Sequence, residues 1–198
     1  MEAASMAEIL RAAPSLTGRL WLLAALAVAV PLAATAQTSG AARPSTTAAA
    51  EAAARAEASF ERYRAVIREA VVARNDGRHD DSLRSIAQAE AIDEAEGVVS
   101  MPTQFHKGLT LAAMSRHEEA IAAFDRGLAV QKDYPLAWWH RALSDEALGR
   151  RDAARADLER FGSLIGPWVR QRGKLDPQRR AEFREKLAQY GLERKYRF

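Results

Sequence analysis

Cysteine is absent from all 198 residues. That excludes disulfides, thiol catalysis and cysteine-ligated zinc or iron–sulfur centres. It also leaves no thiol to carry a lipid. Alternating β-branched runs are missing as well, so no pattern in the chain asks for a sheet. Ile, Val, Phe and Tyr are sparse and alanine dominates the apolar content, which makes helix the default state. No nucleophile elbow, phosphate loop, zinc-protease helix or spaced glycosidase carboxylates occur. Intrinsic enzymatic activity is therefore not expected. The net charge is only +3, a mild bias toward acidic partners or anionic surfaces and no nucleic-acid signature. The length predicts one domain.

Three N-terminal features come in the order of an export signal. Arg11 and Arg19 form a basic flank, Leu20 to Leu32 is an apolar run, and Ala34-Thr35-Ala36 offers small side chains for cleavage. Residues 1–36 are thus expected to be a signal peptide, cut after Ala36. An uncleaved membrane anchor is the alternative, although the run is short for a span. Either reading places the bulk of the chain outside the cytoplasm. Residues 37–50, rich in Gln, Thr, Ser, Gly, Pro and Ala, read as a flexible linker.

From Glu51 onward the pattern is helical. Phe60, Tyr63, Ile67, Ala70 and Val71 share one face, and Asn75-Asp76-Gly77 ends that helix. A second helix is predicted from Asp80 to Glu94, with Leu83, Ile86, Ala87 and Ala91 as its apolar stripe. Four more are expected near 102–114, 117–131, 135–148 and 151–161. Gly108 matches Ala142, Ser115 matches Gly149, Ala120 matches Ala154 and Phe124 matches Leu158, each pair 34 residues apart. The first hairpin aligns at an offset of 38: Ala70 with Gly108, Gly77 with Ser115, Ser82 with Ala120, Ile86 with Phe124. A fixed period of this size marks stacked helical hairpins. The extra residues read as a longer loop around Glu96 to Ser100.

Residues 63–168 resemble the tetratricopeptide repeat family through these positions. The mid-helix small residues are Ala70, Gly108 and Ala142. The small residues of the second helices are Ser82, Ala120 and Ala154, followed by the large Ile86, Phe124 and Leu158. Gln104, Asp145 and Phe161 depart from the family pattern. The resemblance implies an all-α fold: a short right-handed superhelix of three hairpins, about 63–96, 101–134 and 135–168, within 51–168. It also implies a binding surface lined by each repeat's first helix. Carried onto this chain, that surface involves Arg64, Ile67, Arg68, Arg74 and Asn75, then Phe105, His106, Leu109, Ala112 and Ala113, then Trp139, His140, Leu143, Glu146 and Ala147. The partner-binding residues expected from it are Arg64, Arg68, Arg74, Asn75, Phe105, His106, Trp139 and His140, and an acidic protein or peptide is the client they fit.

His106 and His140 occupy equivalent repeat positions, but no carboxylate is spaced as a third ligand, so no metal is expected. Gly108 and Gly127 read as packing positions, and no cofactor is expected. Past the third hairpin, Gly162, Gly166-Pro167 and Gly173 predict a short helix or turn that covers the end of the stack, with Trp168 at its centre. Residues 169–198 form a basic extension with a capping helix near 177–190, started by Asp176-Pro177. Its apolar face is expected to be Ala181, Phe183, Leu187, Ala188 and Tyr190. From Trp168 onward ten Arg or Lys stand against four Asp or Glu, a local charge of +6. That stretch fits a peripheral membrane or cell-wall contact; nucleic acid is not expected.

The leading expectation is a non-enzymatic interaction adaptor or assembly factor of the bacterial cell envelope, periplasmic or secreted. A structural oligomerising subunit and an accessory component of a cell-wall enzyme are the alternatives.

Overall fold

The computed structural model describes residues 46–173 and 175–196. The predicted signal or anchor segment and most of the predicted linker lie outside the described residues. The chain divides into two units at residue 52, and the second, Ala53–Phe198, holds every contact described below.

Among the described residues seven helices follow in order: α1 (Thr46–Asn75), α2 (His79–Ala95), α3 (Met101–Ala113), α4 (His117–Val130), α5 (Pro135–Ala147), α6 (Arg151–Arg172) and α7 (Pro177–Gln189). They pack as sequential antiparallel pairs, and the described residues contain no sheet. No helix among them is long and apolar enough to cross a membrane. Helix α1 starts earlier than the predicted Glu51, because Ala48 to Ala50 are good helix formers.

The three hairpin turns are built alike. After α1, Gly77 N donates to Arg74 O and Arg78 N to Ala73 O, at 3.0 and 2.8 Å. After α3, Ser115 N donates to Ala112 O and Arg116 N to Leu111 O, both at 2.9 Å. After α5, Gly149 N donates to Glu146 O and Arg150 N to Asp145 O, at 2.9 and 2.8 Å. This pair of bonds satisfies the last free carbonyls and needs a left-handed residue at the corner. Gly77, Ser115 and Gly149 have φ of 76°, 59° and 75°. The same bonds close α7, from Gly191 N to Ala188 O and Leu192 N to Leu187 O. They also close α2, from Gly97 N to Glu94 O and Val98 N to Asp93 O, both at 2.9 Å, so this ending is not confined to the first helix of a hairpin.

Small side chains let the helices approach. Ala70, Ser82, Ala120, Ala142 and Ala154 are at most 1% exposed. A Cβ placed on Gly108 would lie 2.5 Å from the Phe124 ring, so the ring occupies the space a side chain would need. Phe124 and Leu158 are themselves fully buried. One apolar cluster joins Met101, Phe105, Leu111, Ala120, Ala123, Phe124, Leu128 and Ala137. A second joins Trp139, Ala142, Ala154, Leu158, Phe161 and Ile165 to Leu175, Phe183, Leu187, Tyr190 and Leu192.

Four expectations need correction. The buried stripe of α2 is Ser82, Ser85, Ile86, Ala89 and Asp93, while Ala87 and Ala91 are exposed. Polar groups go inside because partners await them: Ser82 Oγ bonds Thr110 Oγ1 at 2.9 Å. Helix α6 does not stop near 161 but continues through Gly162, Gly166 and Pro167 to Arg172. Gly162 serves packing there, since a Cβ on it would lie 2.4 Å from the Tyr196 ring. Finally, Trp168 is only partly buried at the edge of the second cluster, and Ile165, Phe183 and Leu187 form the centre of the cover. Ala181 and Ala188 of α7 face outward.

Candidate functional site: the face of the first helices

Contacts place α1, α3, α5 and α7 side by side. Tyr63 OH on α1 bonds Thr103 Oγ1 on α3 at 3.0 Å. The Phe105 and His140 rings bring α3 to α5 at 5.7 Å. Trp139 and Phe183 bring α5 to α7 at 4.5 Å.

On α1, residues four apart share a face, which aligns Arg64, Arg68 and Asn75. Arg64 is half-buried and bonds Glu61 at 3.0 Å. Arg68 and Asn75 are exposed. Arg74, at the end of the helix, donates from Nη1 to Nδ1 of His106 at 3.3 Å. A guanidinium only donates, so the His106 proton sits on Nε2.

The aromatic and imidazole residues expected on this surface went mostly inside. Phe105, His106 and Trp139 are 5%, 3% and 2% exposed. Phe105 meets four rings: His106 at 5.6 Å, Tyr134 at 5.1 Å, His140 at 5.7 Å and Phe124 at 6.1 Å. Trp139 is enclosed by Phe161 at 5.0 Å and by Phe183. The physical reason is tertiary. A helical spacing fixes which residues share a face, but not what closes over them: Phe124, Tyr134 and His140 close over Phe105, Arg74 of α1 reaches His106, and Phe161 and Phe183 enclose Trp139.

His106 and His140 both stand edge-on to the Phe105 ring. Burial, and then the charge of Arg74, push His106 down to about 3. Burial, then Arg179 and Arg74, push His140 to about 3. His140 keeps partial exposure, whereas His106 is buried. No group of His, Asp or Glu among the described residues could hold a metal ion.

What stays on the surface is a different set. Ile67, Leu109, Ala112, Leu143 and Glu146 are half-buried, and Ala113 and Ala147 are exposed. Glu146 accepts from Lys186 Nζ at 2.8 Å and from Tyr190 OH at 3.1 Å, both on or beside α7. The Lys186 bond holds the Glu146 carboxyl below its usual range.

Three polar networks escaped sequence reasoning. Asp93 Oδ2 accepts from Ser100 Oγ at 2.7 Å and Thr103 Oγ1 at 2.6 Å, while Tyr63 OH bonds Ser100 at 2.9 Å. Together they lock the first hairpin to α3. Gln104 bonds Glu90 and Arg126, each at 3.0 Å, and Lys107 reaches Glu90 at 2.8 Å. Arg141 holds Asp157 through two bonds and also Asp125, tying α4, α5 and α6. The departures at Gln104 and Asp145 were the available signal. Gln104 is a network member, and Asp145 is buried, its carboxyl pushed up by burial and by Asp157.

The arginines differ by side. After the turns, Arg78 pairs with Asp76 and Asp81, Arg116 with Glu119, and Arg150 with Glu118. Arg68, Arg179 and Arg184 have no carboxylate partner among the described residues. No family model, curated protein or solved structure matches the chain.

Proposed function

We propose that this chain is a tetratricopeptide-like stack of three hairpins, closed by α7, that works as a non-enzymatic adaptor or assembly factor. It holds a protein or peptide segment along the face of the first helices. The recurring turn bonds and the buried small residues support the repeat reading. The observation that carries the binding reading is the partial exposure of Leu109 and Leu143, equivalent positions on α3 and α5, beside α1 with its partly exposed Ile67 and its Arg64, Arg68 and Arg74. An apolar floor with cationic edges suits a segment that has both apolar and acidic side chains. The cell envelope as its place rests on the N-terminal sequence reading.

A photo-crosslinking residue at Leu109 or Leu143 tests this, with exposed Ala122 on α4 as the control. The expected result is one adduct of defined mass at the two leucines and none at Ala122. Equal labelling at all three positions, or no adduct, overturns the reading.

One observation favours a structural subunit as the second reading. Helix α7 covers Trp139 and engages Glu146, so the chain itself occupies part of the face. A sedimentation experiment that finds a stable oligomer, dispersed by substitution of Leu109, would favour it.

A further inference from the structure

Helix α7 repeats the frame of α5. Each has 13 residues and starts on proline. Pro135 matches Pro177 and Gly149 matches Gly191, both pairs 42 residues apart. The packing follows the same frame. Arg141 reaches back from α5 to Asp125 of α4, and Phe183, at the matching position of α7, reaches back to Phe161 of α6. The adjoining side of α5 receives the second helix of its own hairpin. There Trp139 meets Phe161 at 5.0 Å, Trp138 lies 6.0 Å from the Arg160 guanidinium, and Ala142 shares a cluster with Leu158. The matching residues of α7 are Ala181, Arg180 and Arg184. Among the described residues no second helix follows to cover them. The chain turns back onto α6 instead, where the Tyr196 ring lies against Gly162.

That side of α7 holds a cavity of about 360 Å³, lined by Leu175, Pro177, Arg180, Ala181 and Arg184. Neither guanidinium has a carboxylate partner among the described residues. Arg180 Nε is buried there with no hydrogen-bond partner, an unmet donor of a kind that folded proteins seldom leave. We propose that this side of α7 docks an amphipathic helix of a partner protein, seated as α6 is seated on α5. The incoming helix carries an acidic residue where α4 and α6 carry Phe124 and Leu158, because Arg184 stands where α3 and α5 have Gly108 and Ala142. Leu175, Pro177 and Ala181 give its apolar side a floor, and the two guanidiniums give its carboxylate charge-assisted bonds. The proposal rests on the repeat reading of the hairpins and does not need the groove along the first helices.

The test titrates the whole protein with a lactam-bridged helical peptide of the α4 sequence, His117–Val130, carrying Phe124→Glu. Amide resonances locate the peptide and anisotropy gives its affinity. The expected result is shifts at Ala181 and Arg184, and affinity about tenfold lower for the protein variant Arg184→Glu. A peptide with Phe124→Lys should recover binding to that variant. Arg62→Glu, the same charge change at an exposed position of α1, should do little. Equal weakening by the two protein variants means diffuse attraction to a basic surface and overturns the docking site. No binding, or no recovery by the lysine peptide, overturns it as well. Inorganic phosphate that binds as tightly as the peptide makes this an anion site and overturns the helix. Self-association that Arg184→Glu abolishes makes a second copy the occupant and overturns the partner assignment. Shifts at Leu109 in place of Ala181 put the peptide on the first-helix face, which removes this site and leaves the adaptor reading standing.

Discussion

The second and third hairpins solve one packing problem with opposite choices of size. In the second, Gly108 opens a space that the Phe124 ring enters, and Gly127 opens one for the Met101 sulfur. In the third, the matching positions are Ala142 with Leu158, and Phe161 in place of Gly127. One added methyl is offset by a smaller partner. The large Phe161 packs on Trp139 of its own hairpin at 5.0 Å and reaches beyond it to Phe183 of α7 at 4.8 Å. So the second hairpin is filled by its own side chains and its neighbours. The third is complete only with the C-terminal helix against it. Phe161, which departs from the repeat pattern, is what links the end of the stack to α7.

Removing Phe183 tests that difference most severely. The side chain is 1% exposed and packs against Trp139 and Phe161. Phe183→Ala should cost about 3–5 kcal/mol in urea unfolding. Amide exchange should quicken first in α5 and α6 and leave α3 and α4 protected. Uniform loss of protection would mean that the two hairpins are not the separate packing solutions described here.

Acid attacks the packing around Phe105. His106 and His140 titrate near 3 in the fold and near 6.5 when unfolded. Between those values the unfolded chain binds more protons, so stability falls as pH drops. At neutral pH both rings are uncharged in either state and the contribution is intact. Phe105 flanks both rings, with Arg74 beside His106, and Arg74 and Arg179 near His140. No carboxylate enters that set to receive the new charge. Going from pH 7 to 5 should cost about 2 kcal/mol through His106 alone. Denaturant titrations at the two pH values check this, and His106→Asn should flatten the difference.

A smaller effect sharpens the size argument itself. Gly108→Ala forces a methyl against a buried ring and should cost about 1–2 kcal/mol. Adding Phe124→Leu recreates the pairing of the third hairpin. The double variant should therefore lose less than the two single losses added together. Gly127→Ala should cost less than Gly108→Ala, because the Met101 thioether it meets is flexible. Thermal melts of the four variants decide it. Additive losses would show that ring and glycine are not coupled.

These comparisons also mark how far the chain could be read before its fold was known. The spacing of small and large residues located α3, α4 and α5 to within one residue, because each hairpin carries its own packing signals. Helix α6 ran past its predicted end for a reason that is not local. Gly162 looks like a helix breaker, and only the return of Tyr196 explains it. Of the candidate site, what could be read was which residues stay accessible: Arg64, Arg68 and Arg74 remain at the surface or partly so. Phe105, His106 and Trp139 were placed on the right helices, but periodicity does not say which helix lies across them. The bonds among Tyr63, Asp93, Ser100 and Thr103 join residues up to 40 positions apart, and no short window contains them.

The smallest effect separates the turns and leaves the cores alone. Ser115 has φ 59° where the equivalent turns use Gly77 and Gly149. A side chain in that conformation costs roughly 1–2 kcal/mol, and glycine returns part of this through its greater freedom when unfolded. Ser115 is exposed and the bonds at this corner run through the backbone. Ser115→Gly should therefore stabilise by about 0.5–1 kcal/mol, and Gly149→Ser should destabilise by a similar amount. Urea midpoints should move in opposite directions with no change in slope. If both move the same way, the two turns are not equivalent in energy, and the likeness between the hairpins stops at their hydrogen bonds.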